Sequence, residues 1–161
     1  MTAGPESDHD GLHLDADLLE TLGARLLSAA GMSDHSARSV SKHVVGNSLL
    51  GVDSHGIVRF PQYLELISAG SIDPAAEAVV VTDQPAFTRI DGQAGHGVPA
   101  MIRLAEYTAN KARSAGMATG ALINCGHTGR IGAYAETIAR QGCFALIIGG
   151  GGHTRGNPKV A

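Results

Sequence analysis

The sequence predicts an α/β fold whose N-terminal part is helical. Leucine and valine residues recur with helical spacing between residues 15 and 50. From residue 99 onward, amphipathic helical segments alternate with short apolar runs and glycine-rich turns, a pattern typical of α/β proteins. The 161 residues, 43% of them hydrophobic, are enough for one hydrophobic core.

Capping residues delimit the first two helices. Asp15 is the predicted N-cap of a helix that ends at Gly31, because a carboxylate accepts hydrogen bonds from the first N–H groups and glycine permits the left-handed conformation at a helix end. Ser33 is the predicted N-cap of the second helix. Its apolar stripe consists of Val40, Val44, Val45 and Leu49.

A third helix is predicted over residues 59–69, where Pro61 lies in the first turn and Gly70 ends the helix. The remaining pattern predicts strands at 78–82, 87–91, 119–124 and 143–148, with helices at 99–114 and 131–140. The last two strands are predicted to be buried. Because a helix connects them, they are also expected to be parallel.

Composition and charge exclude several classes of function. The net charge of −3, with basic residues dispersed, does not predict nucleic-acid binding. No apolar run approaches the roughly 20 residues that span a bilayer, and the polar, acidic N-terminus is unlike a secretory signal. Cys125 and Cys143 have neither metal-ligand spacing nor a disulfide pattern. We therefore predict a cytoplasmic protein with no metal site and no membrane partner.

The first candidate site is the stretch Asp53-Ser54-His55-Gly56 with Arg59 and Tyr63. Arg59 would lie in the first turn of a helix, where free N–H groups favour an anion, and its guanidinium can bind a carboxylate through two parallel hydrogen bonds. The ordinary pKa of His55, near 6.5, suits proton transfer at neutral pH. Ser54 could orient the imidazole or relay its proton. Tyr63 follows Arg59 by one helical turn.

The second candidate site is Gly126-His127-Thr128-Gly129-Arg130, between a predicted strand and a helix. Ligands of α/β sheets gather at the carboxyl ends of strands, which favours a chemical role for His127. The other histidines are predicted to have no role in the site: His9, His13, His35, His43, His96 and His153.

Both motifs also have purely structural explanations. The first could be a surface turn in which Arg59 pairs with Asp53 or Glu65. In the second, Thr128 could cap the following helix, leaving His127 without chemistry. The glycine run 149–152 does not satisfy G-x-G-x-x-G, because Thr154 occupies the last glycine position. A flexible loop is the simpler interpretation of that run.

Taken together, the motifs resemble the type-2 malate/L-lactate dehydrogenase family. The matching stretches are the two histidine motifs, the second extending to Ala135, and Ile90-Asp91-Gly92 with Gly95-His96-Gly97. The family also includes ureidoglycolate, sulfolactate and diketogulonate enzymes and a cyclic-imine carboxylate reductase. The resemblance implies NAD(P)-dependent hydride transfer to or from C2 of a 2-oxo or 2-hydroxy acid. It also implies a non-Rossmann, mixed α/β cofactor fold and a homodimer when full length.

By motif position, the resemblance implies roles for individual residues. His55 looks like the proton donor or acceptor with Ser54 as its relay partner, although His127 matches a histidine also assigned as acid/base in some members. Arg59 looks like the carboxylate clamp, Tyr63 a pocket residue and Gly151 a cofactor contact. Neither the choice between the histidines nor that between NAD and NADP follows from the sequence.

Family chains continue well past Ala161, so the resemblance implies a truncated N-terminal fragment. The expected organisation is a disordered lead-in at 1–14, a helical and two-strand part at 15–97, and an incomplete nicotinamide-cofactor domain at 98–161. We expect the isolated chain to bind nicotinamide poorly, to turn over little and to aggregate. The competing hypotheses are reduction of a cyclic imine carboxylate and a non-catalytic, truncated or oligomerisation fragment.

Overall fold

A computed structural model describes residues 13–150 of the chain. Almost all of the predicted lead-in, and Gly151, lie outside these residues. The described part contains five α-helices, one 3₁₀ turn and three strands. In chain order these are α1 (Ala16–Ala29), α2 (Asp34–Leu49), the 3₁₀ turn Asp53–His55, α3 (Arg59–Ser68), β1 (Val79–Gln84), β2 (Phe87–Asp91), α4 (Gly97–Ala115), β3 (Thr119–Ile123) and α5 (Gly132–Ala139). The α/β prediction is confirmed.

The predicted capping residues act as expected at the first two helices. The Asp15 carboxylate accepts a hydrogen bond from the Leu18 N–H at 2.9 Å, and the Ser33 hydroxyl accepts one from the Ser36 N–H at 3.3 Å. Gly31, with φ of 102°, follows α1 and has the left-handed conformation that favours glycine. Local sequence alone therefore fixes where these helices begin and where the first one ends.

Helices α1, α2 and α3 enclose the main hydrophobic core. Gly23 on α1 gives this packing its tightest point, since a Cβ there would collide with the Phe60 ring of α3 and the Ser41 hydroxyl of α2. Buried side chains from all three helices fill the remaining space, together with one residue from the start of α4. The principal core residues are Leu27, Val40, Val44, Val45, Phe60, Tyr63 and Val98.

A three-stranded mixed sheet in the order β1-β2-β3 joins the helices. β1 and β2 are antiparallel, with an irregularity between Val80 and Thr82, whereas β2 and β3 are parallel. Helix α4 connects the parallel strands and packs on them, and a smaller core joins α4 to α5. The order of elements thus brings the carboxyl ends of β2 and β3 together, beside the start of α4.

Two predictions about the last strands are wrong. Residues 143–148 belong to no strand; they are extended, with Phe144, Leu146 and Ile148 facing outward and the alternate residues Cys143, Ala145 and Ile147 packed against the α4–α5 core. β3 is exposed at its start and half-buried at its end, not buried. An apolar run predicts burial, but a strand also needs a neighbour with free N–H and C=O groups.

Candidate active site

The first motif forms the 3₁₀ turn and the start of α3. The Ser54 hydroxyl lies 3.0 Å from Nδ1 of His55. Arg59, the first residue of α3, donates from Nε to the Ser54 carbonyl and from Nη1 to Oε1 of Gln62, both at 2.5 Å. The arginine is thus held beside the histidine by the backbone of its own turn and a neutral amide. The predicted alternative, with Arg59 paired to an acidic neighbour, is not the arrangement observed.

The second motif meets the first in space. His127 lies in the loop between β3 and α5, and its Nδ1 is 2.9 Å from the hydroxyl of Tyr63 on α3. The imidazoles of His55 and His127 are stacked, with ring centroids 5.5 Å apart and planes 27° apart. Ser54, His55, His127 and Tyr63 therefore form a continuous row of polar side chains, with Arg59 at its side.

The capping alternative for Thr128 is wrong. α5 begins at Gly132, its N-cap is Ile131, and no side chain caps it. The Thr128 carbonyl instead accepts a hydrogen bond from the hydroxyl of Tyr134. This bond ties the loop that carries His127 to α5.

Sequence reasoning missed two histidines that line this region. His43 on α2 accepts a hydrogen bond at Nε2 from the Arg130 backbone N–H at 3.0 Å and stacks on Tyr134 with centroids 5.6 Å apart. His96 is the N-cap of α4, where its Nδ1 accepts from the Val98 N–H at 3.2 Å. Each position offered a signal in the sequence: His43 interrupts an apolar helix stripe, and His96 immediately precedes a helix that contains proline in its first turn.

His96 also contacts the row of polar side chains. Its ring meets that of Tyr63 edge to face, with centroids 4.3 Å apart and planes 88° apart. Because Nδ1 of His96 accepts a hydrogen bond, the proton of the neutral imidazole must be on Nε2. The His96 ring therefore packs Tyr63 into place while keeping a defined tautomer at the start of α4.

Burial keeps the imidazoles of the site neutral. It lowers the pKa of His127 to about 4, helped by Arg59 and His55, and that of His43 to about 4, helped by Arg130. Burial lowers the pKa of His96 to about 3. The pKa of the less buried His55 is also lowered, by burial and then by Arg59 and Arg130. A neutral imidazole has one N–H donor and one free acceptor nitrogen.

Burial acts in the opposite direction on the phenols. It raises the pKa of Tyr63 to about 12, against a smaller opposing effect of Arg59. Tyr63 is therefore protonated at neutral pH. If its hydroxyl donates to Nδ1 of His127, the imidazole proton lies on Nε2; if the hydroxyl accepts, Nε2 is free as a proton acceptor. The pair can thus exchange tautomers without creating a buried charge.

The donor set of the site suits an anion and a carbonyl better than a metal ion. Across residues 13–150, His, Cys, Asp and Glu nowhere form a group of three that could hold a metal. In the same range, Nη2 of Arg59 takes part in none of the hydrogen bonds found, while Nε and Nη1 are engaged. One guanidinium nitrogen next to two imidazoles is therefore free for a ligand.

Most of the chain matches a known family. The family model described as malate/L-lactate dehydrogenase matches residues 14–151. The chain belongs to this family. Hydroxycarboxylate dehydrogenase B from Escherichia coli strain K12 is 32% identical over 136 residues, which cover 84% of this chain and 38% of that protein. The resemblance inferred from the histidine motifs is thereby confirmed.

Solved structures from the family share the fold. Malate dehydrogenase from Pyrococcus horikoshii OT3 is similar with a TM-score of 0.79 and 27% identity, over 88% of this chain and 41% of that chain. The delta1-piperideine-2-carboxylate reductase from Pseudomonas syringae pv. tomato gives a TM-score of 0.77 with 30% identity, over 82% of this chain and 40% of that one. The chain thus spans about two-fifths of the length of these family members.

Two features of the described part bear on the remaining predictions. No helix within residues 13–150 is both long and apolar enough to cross a membrane. A cavity of about 490 Å³ lies between β3, α4, α5 and residues 143–150, and Thr128 and Cys125 line it close to His127. The predicted cofactor contact Gly151 lies outside the described residues, although its neighbour Gly150 lines this cavity.

Proposed function

We propose that the protein containing this chain is a nicotinamide-dependent oxidoreductase that interconverts 2-oxo and 2-hydroxy acids. The observation that carries the proposal is the row of Ser54, His55, His127 and Tyr63 with the guanidinium of Arg59 beside it. Family members with the names malate dehydrogenase and hydroxycarboxylate dehydrogenase support the class of reaction. NAD and NADP remain equal candidates as cofactor.

In this proposal, Arg59 binds the substrate carboxylate. The free Nη2 donates one hydrogen bond to the carboxylate. Nη1 donates the second after it leaves Oε1 of Gln62 for the other carboxylate oxygen. The substrate carbonyl then lies next to the carboxylate and faces the imidazoles. Gln62 would keep the guanidinium oriented before the substrate arrives.

We assign the proton transfer to His55, because it is less buried than its stacking partner and bonds to the Ser54 hydroxyl. During reduction, Nε2 of His55 gives its proton to the substrate oxygen as the carbonyl π bond breaks, while Nδ1 takes the proton of the Ser54 hydroxyl, so that the ring stays neutral. Ser54, which is exposed, then recovers a proton from solvent, and a tautomer change returns the ring proton to Nε2. His127, held by Tyr63, stays neutral and orients the same carbonyl.

The imidazoles of the site are neutral and therefore do not repel the positive charge of an oxidised nicotinamide ring. When bound, the nicotinamide supplies the hydride that C2 receives in reduction. The His127 loop and the cavity beside Thr128 would hold it. Within residues 13–150 no Gly-x-Gly-x-x-Gly turn is present for the pyrophosphate.

A cyclic-imine carboxylate reductase is the second candidate. It is favoured by the 33% identity to the pyrroline- and piperideine-2-carboxylate reductase from Pseudomonas syringae pv. tomato, over 77% of this chain and 36% of that protein. The same guanidinium would bind the ring carboxylate, and the proton would go to the imine nitrogen. The two substrates differ in the atom that is protonated, not in the clamp.

The test uses the complete product of the reading frame that encodes this chain. Activity is measured with NADH and NADPH against 2-oxo acids and a cyclic imine carboxylate. Turnover of one class identifies the substrate, whereas absence of turnover with all of them would favour a non-catalytic protein. Arg59→Ala is expected to lower kcat/KM at least about tenfold, since loss of one partner of a partly buried charged pair costs about 2–5 kcal/mol.

Separate replacement of the two histidines tests the assignment of the proton donor. His55→Asn is expected to remove the pH-dependent limb of kcat/KM, while His127→Asn lowers the rate but keeps the limb. His35→Asn, on the exposed side of α2, is the control. Loss of the limb in His127→Asn alone would transfer the role to His127.

A further inference from the structure

Asn47 links the two histidine motifs. It lies near the end of α2, is 2% exposed, and bonds through both ends of its amide. Nδ2 donates to the backbone carbonyl of His55 at 3.0 Å, and Oδ1 accepts from Nε of Arg130 at 2.8 Å. One buried side chain therefore contacts the turn that carries His55 and the loop that carries His127.

The Arg130 side of this link has additional anchors. His43, one helical turn before Asn47, accepts a hydrogen bond from the Arg130 backbone N–H, so that α2 holds both the backbone and the side chain of this residue. Glu136 on α5 forms an ion pair with the same guanidinium at 2.7 Å. Gly129 lies directly on the His43 ring, where a Cβ would collide with Nε2. The loop is thus fixed relative to α2.

On the His55 side, the 3₁₀ turn has fewer anchors on α2. The neighbouring Ser48 hydroxyl accepts from the Ile57 N–H at 3.0 Å, beyond the turn, while Asn47 reaches the carbonyl of His55 itself. His55 and His127 do not share a direct hydrogen bond among the described residues; their rings are stacked at 5.5 Å. Their separation therefore depends on what holds each backbone segment.

We propose that Asn47 is a positioning residue that sets the spacing of the His55 and His127 imidazoles by tying the backbone of the His55 turn and the Arg130 side chain of the His127 loop to α2. It contacts neither reacting group directly. This role rests on the proposed function for its catalytic consequence, but the clamp itself is a property of the folded chain. A buried amide whose donor and acceptor serve different segments can hold both only in one relative position.

The variants separate the two halves of the clamp. Asn47→Asp keeps an oxygen for Arg130 but replaces the donor to the His55 carbonyl by a second acceptor. Asn47→Ala removes both bonds. Asn110→Asp, on the exposed side of α4, adds the same charge without touching the site and is the matched control.

The expected kinetic result is a split between kcat and KM. Asn47→Ala and Asn47→Asp should lower kcat at least about tenfold, a loss equivalent to about 1.4 kcal/mol of barrier, while the substrate KM stays within about threefold of the wild type because Arg59 is untouched. Asn110→Asp should leave both constants unchanged. A kcat within twofold of wild type for folded Asn47 variants would overturn the proposal.

A second readout needs no turnover. With ¹³C-labelled histidine in the complete protein, the ring signals of both His55 and His127 should shift in Asn47→Ala, that of His55 should shift in Asn47→Asp, and both should stay in place in Asn110→Asp. Unchanged ring signals in folded Asn47 variants would contradict the clamp even if activity fell. If the protein turns over none of the substrates but the ring signals shift, the proposed function is wrong and the clamp stands.

Discussion

Two regions of the molecule differ in how completely their side chains find partners within the described residues. Around α2, α3 and the His127 loop, buried polar side chains such as Tyr63 and Asn47 meet partners from distant parts of the sequence. On α1 and the extended segment 143–148, large apolar side chains face outward: Leu18 is 60% exposed and Phe144 is 94% exposed. The candidate active site is thus held by hydrogen bonds within the described residues, although Nε2 of His96 is buried without a partner there. The other two surfaces are suited to further contacts.

The difference shows that the side chains of a site can be held in place even where other surfaces of the same fold leave apolar side chains exposed. The polar row needs only residues within the described part, since its hydrogen bonds close between α2, α3 and one loop. The exposed leucines of α1 recur every fourth residue and form one stripe, Leu18, Leu22 and Leu26, which Leu14 continues just before the helix. A stripe of this size is typical of a surface that contacts another element.

The largest expected effect comes from adjacent leucines on the two faces of α1. Leu27→Ala should lower the free energy of unfolding by about 2–5 kcal/mol, because Leu27 is fully buried. Leu26→Ala, at an exposed position, should change it by less than about 0.5 kcal/mol. Urea unfolding of the 161-residue chain measures both. Equal losses would show that α1 is covered on both faces.

The next largest effect on the free energy of unfolding is expected in the row of Ser54, His55, His127 and Tyr63. Tyr63→Phe keeps the ring against His96 but leaves Nδ1 of His127 without its partner, at a cost of about 1–3 kcal/mol in the free energy of unfolding. Tyr107→Phe, on the exposed side of α4, is the control and should be neutral. The same urea titration is used. A neutral Tyr63→Phe would mean that water replaces the hydroxyl.

Acid should destabilise the region around the histidines. His43 and His127 have pKa values near 4 in the folded chain, below the ordinary 6.5, so that the unfolded chain binds more protons in this interval. Stability from these groups is complete above pH 6.5 and decreases as the pH falls towards 4. Melting temperatures from pH 7.5 to 4.5 should fall, and less so in a His43→Gln variant. A flat profile would contradict the burial of these rings.

The smallest effect on stability is expected in the extended segment. Replacing Phe144 and Leu146 by Ser should change the free energy of unfolding by less than about 0.5 kcal/mol, since both side chains face outward. The same change should reduce self-association of the 161-residue chain in light scattering. Leu50→Ser, at a position that is 61% exposed and outside the segment, is the control. Unchanged self-association would mean that the chain associates through another surface.

Local signals were sufficient for most elements of the fold. Asp15 and Ser33 cap α1 and α2 as their side chains predict, and Gly31 has the positive φ that its place after a helix requires. The strand predicted at 143–148 was wrong because apolar content is a local property, whereas strand pairing depends on a neighbour that no local pattern specifies. The predicted capping role of Thr128 was wrong for a related reason: its carbonyl accepts a hydrogen bond from the Tyr134 hydroxyl, and α5 begins later in the chain.

The site could be predicted in its parts but not in its assembly. Both motifs were found because histidine, arginine and glycine concentrate in short turns. Their meeting through Tyr63 and His127, and the roles of His43 and His96, depend on the packing of α2 and α4 against these turns. A histidine in a helix stripe looks like a surface residue until a distant loop supplies its partner.

Gly23 shows how far such packing extends from the chemistry. It has no functional group, yet α3 can approach α1 only because nothing projects from this position toward Phe60. Phe60 follows Arg59 directly in the chain, so a side chain at position 23 would displace the guanidinium through the helix that carries it. In a library of variants selected only for turnover, Gly23 is therefore expected to tolerate as little as the arginine itself. A position at which only glycine fits between two helices would then be as intolerant of mutation as a residue of the active site.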